Sequence, residues 1–413
     1  MRCSYSEKIV KEKQMPRKIV NIIFIFLFFG ISCVCMSFAL ISPKDKNEYE
    51  NRKADKFPAV SWNSVIDGSF QSSAEKAFND QIPYAEDMKK NYNLISASFK
   101  DSFMKKQLEE NPYRYFEYNN LRLFGSDHIV FWTLTLDTVS DTDTGLTIRE
   151  LLDKKAKNLN IAVKKNRDVQ FYLYFIEKDT DIDFETGEKL GAYEYLKDKL
   201  SKGYKCAKYE ISDYETFREN FYLTDHHWNH TGAYKGYLEL RELLGIEEAA
   251  IVPGEEKEIL EFSGSKVKFA GVEGKKEMMY AYDYDYPEMD FVINGNPQEN
   301  YGTEHIWFSD AEKPDKISYS DFYGGDEGEI IISTDAPGKD RLLIIGESFD
   351  NSVLKLIASH YSKVYAVDLR YYKAYMGKDF SISQYLKENA IDKVLLMGNV
   401  DYFTMSDFNI GEK

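Results

Sequence analysis

Cysteine is scarce in this chain, with four residues among 413. Cys3, Cys33 and Cys35 lie within the first 41 residues, and only Cys206 lies beyond them. Because one cysteine cannot form a disulfide within its own domain, we expect a hydrophobic core to stabilise residues 42–413. The composition can supply that core, since 43% of the residues are hydrophobic and 15% are aromatic.

Basic residues are outnumbered by acidic ones, 53 to 69, which gives a net charge of −16. Residues 1–18 carry six basic and two acidic side chains, a charge of +4, so the rest of the chain carries −20. Proteins that bind nucleic acid present clusters of Lys and Arg to the phosphates, and this chain lacks that excess of positive charge. The composition therefore excludes a nucleic-acid partner and is compatible with a carbohydrate partner.

One long stretch has no charged residue at all, the 23 residues 19–41. As a helix it would span roughly 35 Å, which is enough to cross a bilayer. The basic residues precede it, so we expect the amino end in the cytoplasm and the rest of the chain outside the cell. The alternative is a cleaved signal peptide, with Ser37-Phe38-Ala39 as the cleavage site. The stretch is longer than the 7–15 apolar residues of a signal peptide, which favours a membrane anchor.

The sequence divides into four parts with different patterns. We predict a basic cytoplasmic tail at 1–18, a transmembrane anchor at 19–41 and an extracytoplasmic tether with a helical arm at 42–106. Residues 107–413 are predicted to form the main domain. Within it, residues 247–335 are rich in Gly, acidic residues and Tyr, which indicates an insertion of loops and small antiparallel strands.

The main domain alternates between short apolar runs and longer amphipathic segments from about residue 147 onward. Apolar runs of this length are typical of buried strands, and the amphipathic segments are typical of helices. Strands that alternate with helices form a mostly parallel sheet with helices on both faces. The sequence therefore predicts a three-layer α/β domain.

A serine follows one of these predicted strands directly. Ser348 lies after the apolar run 342–345 and before a predicted helix that begins near Asn351. Backbone N–H groups are free at such a turn and can hold the negative charge of an acyl-transfer intermediate. Ser348 is therefore a candidate nucleophile, although a serine at such a junction is more often a helix cap.

A base and a carboxylate lie in the segment Asp225-His226-His227-Trp228. Asp225 and His227 are two residues apart, so on an extended backbone their side chains project from the same face and His226 projects from the other. This spacing predicts His227 as the base that activates Ser348, and Asp225 as the group that fixes the tautomer of His227.

Three further residues are candidates for binding the oxyanion or the substrate. Asn351 could direct its amide at the oxyanion or cap the helix, and Trp228 could stack on a sugar or pack in the core. Arg370 could hold an acidic group of a polymer or form a salt bridge with Asp368. Since ligands bind at the carboxyl ends of parallel strands, Arg370 and Asn399 are expected on the same rim as Ser348.

The segment Thr224-Asp225-His226-His227-Trp228-Asn229 resembles the signature of the DHHW family. That family is related to the alginate O-acetyltransferases of the AlgX/AlgJ type within the SGNH hydrolase-like superfamily. Further stretches agree with it, namely Glu50-Asn51-Arg52, Phe57-Pro58, Asn79-Asp80 with Pro83, Phe322-Tyr323-Gly324-Gly325 and Val367-Asp368-Leu369-Arg370-Tyr371-Tyr372. Two features depart from the pattern: Glu347 stands where aspartate usually precedes the serine, and the serine comes last in the chain rather than first.

The resemblance implies an SGNH-like domain that acetylates a cell-surface polysaccharide through an acetyl-serine intermediate. It also implies a polytopic membrane acyltransferase as acetyl donor, and no soluble cofactor. A carbohydrate esterase would use the same three residues with water as acceptor. Two other classes stay open, a non-catalytic polysaccharide-binding or assembly protein, and a metal-dependent hydrolase with Asp225, His226, His227 and His230 as ligands.

We expect external protease to digest the domain beyond residue 41 in intact cells and to leave the amino terminus protected, because the anchor separates the two. Immunoblots against tags at the two ends would measure this. A soluble mature form that begins near Leu40 would contradict the anchor and indicate a cleaved signal peptide.

Overall fold

A computed structural model of the protein describes residues 17–41, 43–47, 52–92, 94–96, 110–111, 113–118, 120–125, 128–271, 274–336, 340–405 and 408–411. The chain divides into two units, Met1–Ala97 and Ser98–Lys413. Three parts of the sequence predictions lie outside the described residues. They are the cytoplasmic tail up to residue 16, the pair Glu50-Asn51 and the end of the helical arm, 97–106.

The first unit contains one long apolar helix and several short elements. These are α1 (Arg17–Ile41), β1 (Lys46–Asn47), β2 (Arg52–Lys53), α2 (Trp62–Ile66), α3 (Ser69–Gln81) and α4 (85–92). Within α1, Asn21–Ile41 is long and apolar enough to cross a membrane, a property that anchors and signal sequences share. Pro83 separates α3 from α4, as the sequence predicts. The buried Asp80 carboxylate accepts hydrogen bonds from the Asn47 side chain (3.0 Å) and the Asp55 backbone (2.8 Å), so it ties α3 to the β1–β2 hairpin.

The second unit contains the strands and helices of the main domain. Its strands are β3 (Phe116–Tyr118), β4 (Leu121–Phe124), β5 (His128–Val130), β6 (Val139–Asp141), β7 (Leu146–Thr147), β8 (Gln170–Ile176), β9 (Tyr204–Tyr209), β10 (Glu256–Phe262), β11 (Glu277–Tyr282), β12 (Met289–Ile293), β13 (Asn296–Gln298), β14 (Glu329–Thr334), β15 (Arg341–Ile345), β16 (Lys363–Val367) and β17 (Lys393–Gly398). Its helices are α5 (Ile148–Lys165), α6 (Ala192–Lys199), α7 (Tyr214–Asn220), α8 (His230–Leu244), α9 (Ser265–Ala270), α10 (Glu304–Trp307), α11 (Tyr319–Tyr323), α12 (Asn351–Ala358), α13 (Tyr372–Met376), α14 (Ile382–Asn389) and α15 (Val400–Thr404).

Eight of these strands form one mixed sheet in the order β13-β12-β14-β16-β15-β17-β8-β9. The five strands from β16 to β9 are parallel, and β13, β12 and β14 extend the sheet with antiparallel pairs. The α/β class with a mostly parallel sheet is confirmed. The stretch 247–335 is more than an inserted loop region, because β12, β13 and β14 are part of the main sheet.

The central strands are apolar throughout because helices cover both faces of the sheet. In β15, Leu342 and Ile344 belong to one hydrophobic core together with residues of α8 and α12. Leu343 and Ile345 point to the other face and belong to a second core with residues of α5, α14 and α15. The two cores therefore lie on opposite sides of the same strands, and no polar face remains on β15.

Replacing Ile344 with alanine should lower the free energy of unfolding by about 2–5 kcal/mol, because its fully buried side chain would leave a cavity between β15 and the helices. The matched control is Val252→Ala at a side chain that is 74% exposed, which should change stability by about 0.5 kcal/mol or less. Urea unfolding followed by tryptophan fluorescence would measure both. Equal effects of the two changes would contradict this description of the core.

Candidate active site

Ser348 lies in the turn between β15 and α12, at the carboxyl end of the parallel strands. The turn is compact, because the Asp350 backbone N–H donates to the Glu347 carbonyl at 2.8 Å. Gly346 has no room for a side chain, since a Cβ there would collide with the Asp350 carboxylate. The helix begins at Asn351 with Asp350 as its cap residue, so Ser348 does not cap it.

His227 lies in a narrow loop between α7 and α8. An isolated bridge between Phe221 and Trp228 closes the base of this loop, and the Tyr222 N–H donates to the His227 carbonyl at 3.2 Å. The loop is bent rather than extended, since the Asp225 carboxylate accepts from the backbone N–H of His227 at 3.1 Å. The predicted alternation is therefore wrong for His226, whose ring lies against that of His227 instead of projecting from the opposite face.

The three residues predicted as nucleophile, base and carboxylate lie within hydrogen-bond distance of one another. The distance between His227 Nε2 and Ser348 Oγ is 2.7 Å, and that between His227 Nδ1 and Asp225 Oδ1 is 2.6 Å. All three side chains are buried. Although burial opposes ionisation of Asp225, the neighbouring imidazoles of His227 and His226 hold its pKa well below the ordinary value. The arrangement can pass a proton from a hydroxyl to an imidazole and stabilise the imidazolium that results.

Two residues that the sequence patterns did not single out hold the Asp225 loop in place. Ser265, at the start of α9, donates its backbone N–H to Asp225 Oδ2 at 2.7 Å, and its hydroxyl lies 2.6 Å from His226 Nδ1. The Glu277 carboxylate on β11 accepts from the backbone N–H groups of Leu223 (2.9 Å) and Thr224 (2.6 Å). Both residues lie within 247–335, where neither a motif nor a periodic pattern marks them.

Aromatic rings cover both faces of the His227 imidazole. The Tyr319 ring stacks on it with 3.7 Å between ring centres and 2° between planes, and the His226 ring lies 3.8 Å away at 37°. In the described residues no ring contact joins Tyr319 to His226. The two rings therefore lie on opposite faces of His227. No sequence pattern marks Tyr319 as part of the site.

Glu347 connects the Ser348 turn to the end of β17. Its carboxylate accepts from the Asn399 backbone N–H at 3.2 Å, and the Asn399 side chain accepts from the first N–H groups of α15. Asn399 thus lies on the same rim as the serine. Burial raises the pKa of Glu347 to about 7, although Arg370 and Lys178 act in the opposite direction.

Arg370 is engaged in ion pairs on this rim. Its Nε lies 3.0 and 2.9 Å from the two oxygens of Asp368, and its Nη2 lies 3.3 Å from Asp326. The salt bridge with Asp368 is the alternative that the sequence left open. Because its guanidinium is held by two carboxylates, Arg370 has less freedom to bind a substrate acid.

The Asn351 amide is held on both sides. Its oxygen accepts from the Tyr301 hydroxyl at 2.8 Å, and its nitrogen donates to the Gly324 carbonyl at 2.9 Å. These contacts join the start of α12 to the segment Phe322-Tyr323-Gly324-Gly325. An oxyanion contact from Asn351 stays a prediction.

Of the two roles that the sequence left open for Trp228, the structure favours packing in the core over a substrate contact, because the side chain is fully buried. The indole N–H donates to the Ser352 hydroxyl at 2.7 Å, and the ring packs against Tyr209 and Phe349. Gly236 on α8 makes room for the ring, since a Cβ there would collide with it. Trp228 has the core role.

The four residues of the metal-dependent alternative do not form one group. The side chains of Asp225, His226 and His227 place one ligand atom each within 4.8 Å of the others. His230 instead pairs with Glu256, with 2.7 Å between Nε2 and the carboxylate. The ring nitrogens of His227 are both engaged, by Asp225 and Ser348. The contacts therefore fit a proton-transfer chain better than a four-residue metal site.

Glu347→Gln should flatten the dependence of stability on pH. The pKa of Glu347 rises from its ordinary value of 4.5 to about 7 on folding. Its contribution to stability is therefore fully present below about pH 4.5 and is lost as the pH rises to about 7. Glutamine carries no charge at either pH, so the fall in unfolding free energy should be smaller in this variant.

Urea unfolding at several pH values between 4.5 and 7 would measure this. The control is Glu215→Gln, whose side chain is 57% exposed and which should keep the slope of the unaltered protein. An unchanged slope in Glu347→Gln would contradict the raised pKa.

Solved structures that match this chain with TM-scores above 0.5 share its fold. PatB1 from Bacillus cereus, solved with a sulfonyl adduct and without one, is 18% identical in both structures. With the adduct, the match has a TM-score of 0.53 and covers 70% of this chain and 98% of PatB1. A DHHW family protein from Eubacterium siraeum is 16% identical with a TM-score of 0.53, covering 71% of this chain and 95% of that one. The O-acetyltransferase domain of Pseudomonas putida AlgJ is 11% identical with a TM-score of 0.36, covering 63% and 85%.

No curated protein sequence matches this chain. The sequence profile described as DHHW protein matches residues 158–367, which is just over half of the chain. That range contains Asp225, His227 and Ser348. On this match, the chain belongs to the DHHW family.

Proposed function

We propose that this protein is an acyltransferase with an SGNH-like domain, in which Ser348 carries an acetyl group to a cell-surface polysaccharide. The observation that carries the proposal is the hydrogen-bonded chain from Ser348 through His227 to Asp225. A serine hydroxyl is a weak nucleophile on its own, and a neighbouring base oriented by a third group is what activates it. The buried position of all three side chains also keeps bulk water from competing for their hydrogen bonds.

The reaction proceeds in two half-reactions. His227 Nε2 takes the Ser348 proton as Oγ attacks the carbonyl carbon of the acetyl donor, and a C–O bond forms. His227 then returns the proton to the leaving group as the donor bond breaks, which leaves acetyl-Ser348. In the second half, His227 takes the proton of a sugar hydroxyl, which attacks the acetyl-serine. The ester of the sugar is released as Ser348 regains its proton.

Negative charge develops twice on the acetyl oxygen, once in each half-reaction. We propose that backbone N–H groups of the turn between β15 and α12 hold this charge, with the Asn351 amide as a further donor. Asp225 supports the reaction differently, because its buried negative charge stabilises the imidazolium of His227 while that ring carries the extra proton. Arg370 then orders the rim through Asp368 rather than binding the polymer.

The apolar helix α1 supports a single-pass anchor with the catalytic domain outside the cell. Residues 19–41 carry no charge, and the basic residues precede them. An acetyl donor outside the cell must be supplied across the membrane, and the family resemblance points to a polytopic membrane acyltransferase as that partner. A carbohydrate esterase is the second candidate, because the same three residues would serve it with water as the acceptor.

Ser348→Ala and His227→Ala should each lower acetyl transfer at least about 1,000-fold, and the double variant should lose little more, because the two residues act as one unit. Asp225→Asn should also be severe, since an amide has no negative charge and only one oxygen, and cannot accept from both His227 Nδ1 and the Ser265 N–H. The assay follows acetyl groups from a generic acetyl ester to an oligosaccharide or to water, which separates transferase from esterase. Thermal melts would confirm that each variant is folded.

The matched control is His305→Ala, which removes an exposed histidine and should leave the rate unchanged. Full activity in folded Ser348→Ala would exclude the serine mechanism. Loss of activity with a chelator in that same variant would favour the metal-dependent hydrolase. A folded protein without either activity on any acetyl ester would favour the non-catalytic alternative.

A further inference from the structure

Both ring nitrogens and both faces of the His227 imidazole are in contact with other residues. Its edges are used by Asp225 at Nδ1 and by Ser348 at Nε2. One face is covered by His226, whose side chain is 31% exposed, and the other by Tyr319, which is buried.

We propose that Tyr319 is a positioning residue that holds the His227 ring in its catalytic orientation and stabilises its imidazolium form. The face of an aromatic ring is electron-rich and attracts a cation that lies against it. A ring stacked flat at 3.7 Å also opposes rotation of the imidazole about its own side-chain bonds, since any rotation would drive atoms into the tyrosine.

The parallel geometry sets Tyr319 apart from the other rings around His227 in the described part of the chain. His226 is tilted by 37° and Phe349 by 54°, whereas Tyr319 deviates by 2°. Near-parallel pairs also occur in the core, as between Phe175 and Phe403 at 11°, so the alignment supports the proposal together with the position of the imidazole between Asp225 and Ser348. The alignment matches what a cation needs from an aromatic face.

The start of α11 and a neighbouring ring hold Tyr319 in position. It is the first residue of α11, whose start is held by reciprocal hydrogen bonds between Ser318 and Asp321. Its ring packs against Tyr323 at 4.9 Å on the side away from the imidazole. The capped start of α11 and the contact with Tyr323 therefore hold Tyr319 in the position from which it stacks on His227.

The charge that the imidazolium meets comes from few groups. Asp225 and His226 face it from its own loop, Ser348 faces it from the turn after β15, and Tyr319 faces it from α11. Asp225 supplies the negative charge in every variant of Tyr319, so a change in the affinity of His227 for its proton on altering Tyr319 reports on the stacked ring.

Two substitutions of Tyr319 distinguish the effect of its aromatic ring from the effect of its volume. Tyr319→Phe keeps the ring, and we expect activity within about threefold and an unchanged pH profile, because the buried Tyr319 hydroxyl has no hydrogen-bond partner among the described residues. Tyr319→Leu keeps an apolar side chain but removes the ring. We expect the rate of acetyl-ester turnover to fall at least about tenfold, and the acidic limb of kcat/KM to move to lower pH, because the imidazolium loses the ring that stabilises it.

The pKa of His227 is measured in two independent ways, from the acidic limb of kcat/KM and from an NMR titration of its ring. The matched control is Tyr204→Leu, a buried tyrosine of β9 whose ring packs against Phe171 in the second core. It should leave the pKa of His227 unchanged. Because the NMR titration needs no substrate, it tests the stack even where the proposed acetyl transfer fails.

A third variant covers the case in which Tyr319→Leu does not fold. Pentafluorophenylalanine at position 319 keeps the ring shape but reverses the charge distribution of its face, so the pKa of His227 should fall with the fold intact. An unchanged pKa in this variant, or in folded Tyr319→Leu, would overturn the proposal and leave Tyr319 as a core residue.

Discussion

The candidate site depends on the burial of one ionised carboxylate, that of Asp225. A buried charge is costly unless hydrogen-bond donors surround it, and here three donors do so. They are the backbone N–H of His227, its ring Nδ1 and the backbone N–H of Ser265. Removing any one of them would leave part of the charge unpaired inside the protein. This requirement explains why a distant helix, α9, must dock on the histidine loop. It also explains why Gly264 precedes it, since a Cβ there would collide with the backbone of Thr224 and Asp225.

The sheet supplies the second half of the site through its topology. Parallel strands end at the same edge, so the turns after β15 and β17 meet there without a specific pairing between their sequences. Glu347 then joins the two turns through the Asn399 backbone. The residue that departs from the family pattern therefore has a contact of its own. Its longer side chain is part of what holds the Ser348 turn in place.

The rim around Ser348 is rich in buried acid, and this fits the acidic character of the domain. Burial and neighbouring carboxylates raise the pKa of Asp350 well above its ordinary value, and Arg370 is the cation that Asp368 and Asp326 share. On such a rim the ionisation of one carboxyl group makes ionisation of the next less favourable, because like charges repel.

The sequence by itself indicated the class of fold and the three residues at the centre of the candidate site. Alternating apolar runs specify strands buried on both faces, and Asp225, His227 and Ser348 stood out because their residue types and positions fit the chemistry proposed for the site. Tertiary structure alone decided the burial of Trp228, the direction of His226 and the roles of Ser265, Glu277 and Tyr319. These depend on contacts between segments that are distant in the chain, which leave no periodic pattern or short motif. A tyrosine that stacks on a histidine and a tyrosine that fills a core look the same in the sequence. They differ only in the residue that the tertiary structure places against the ring.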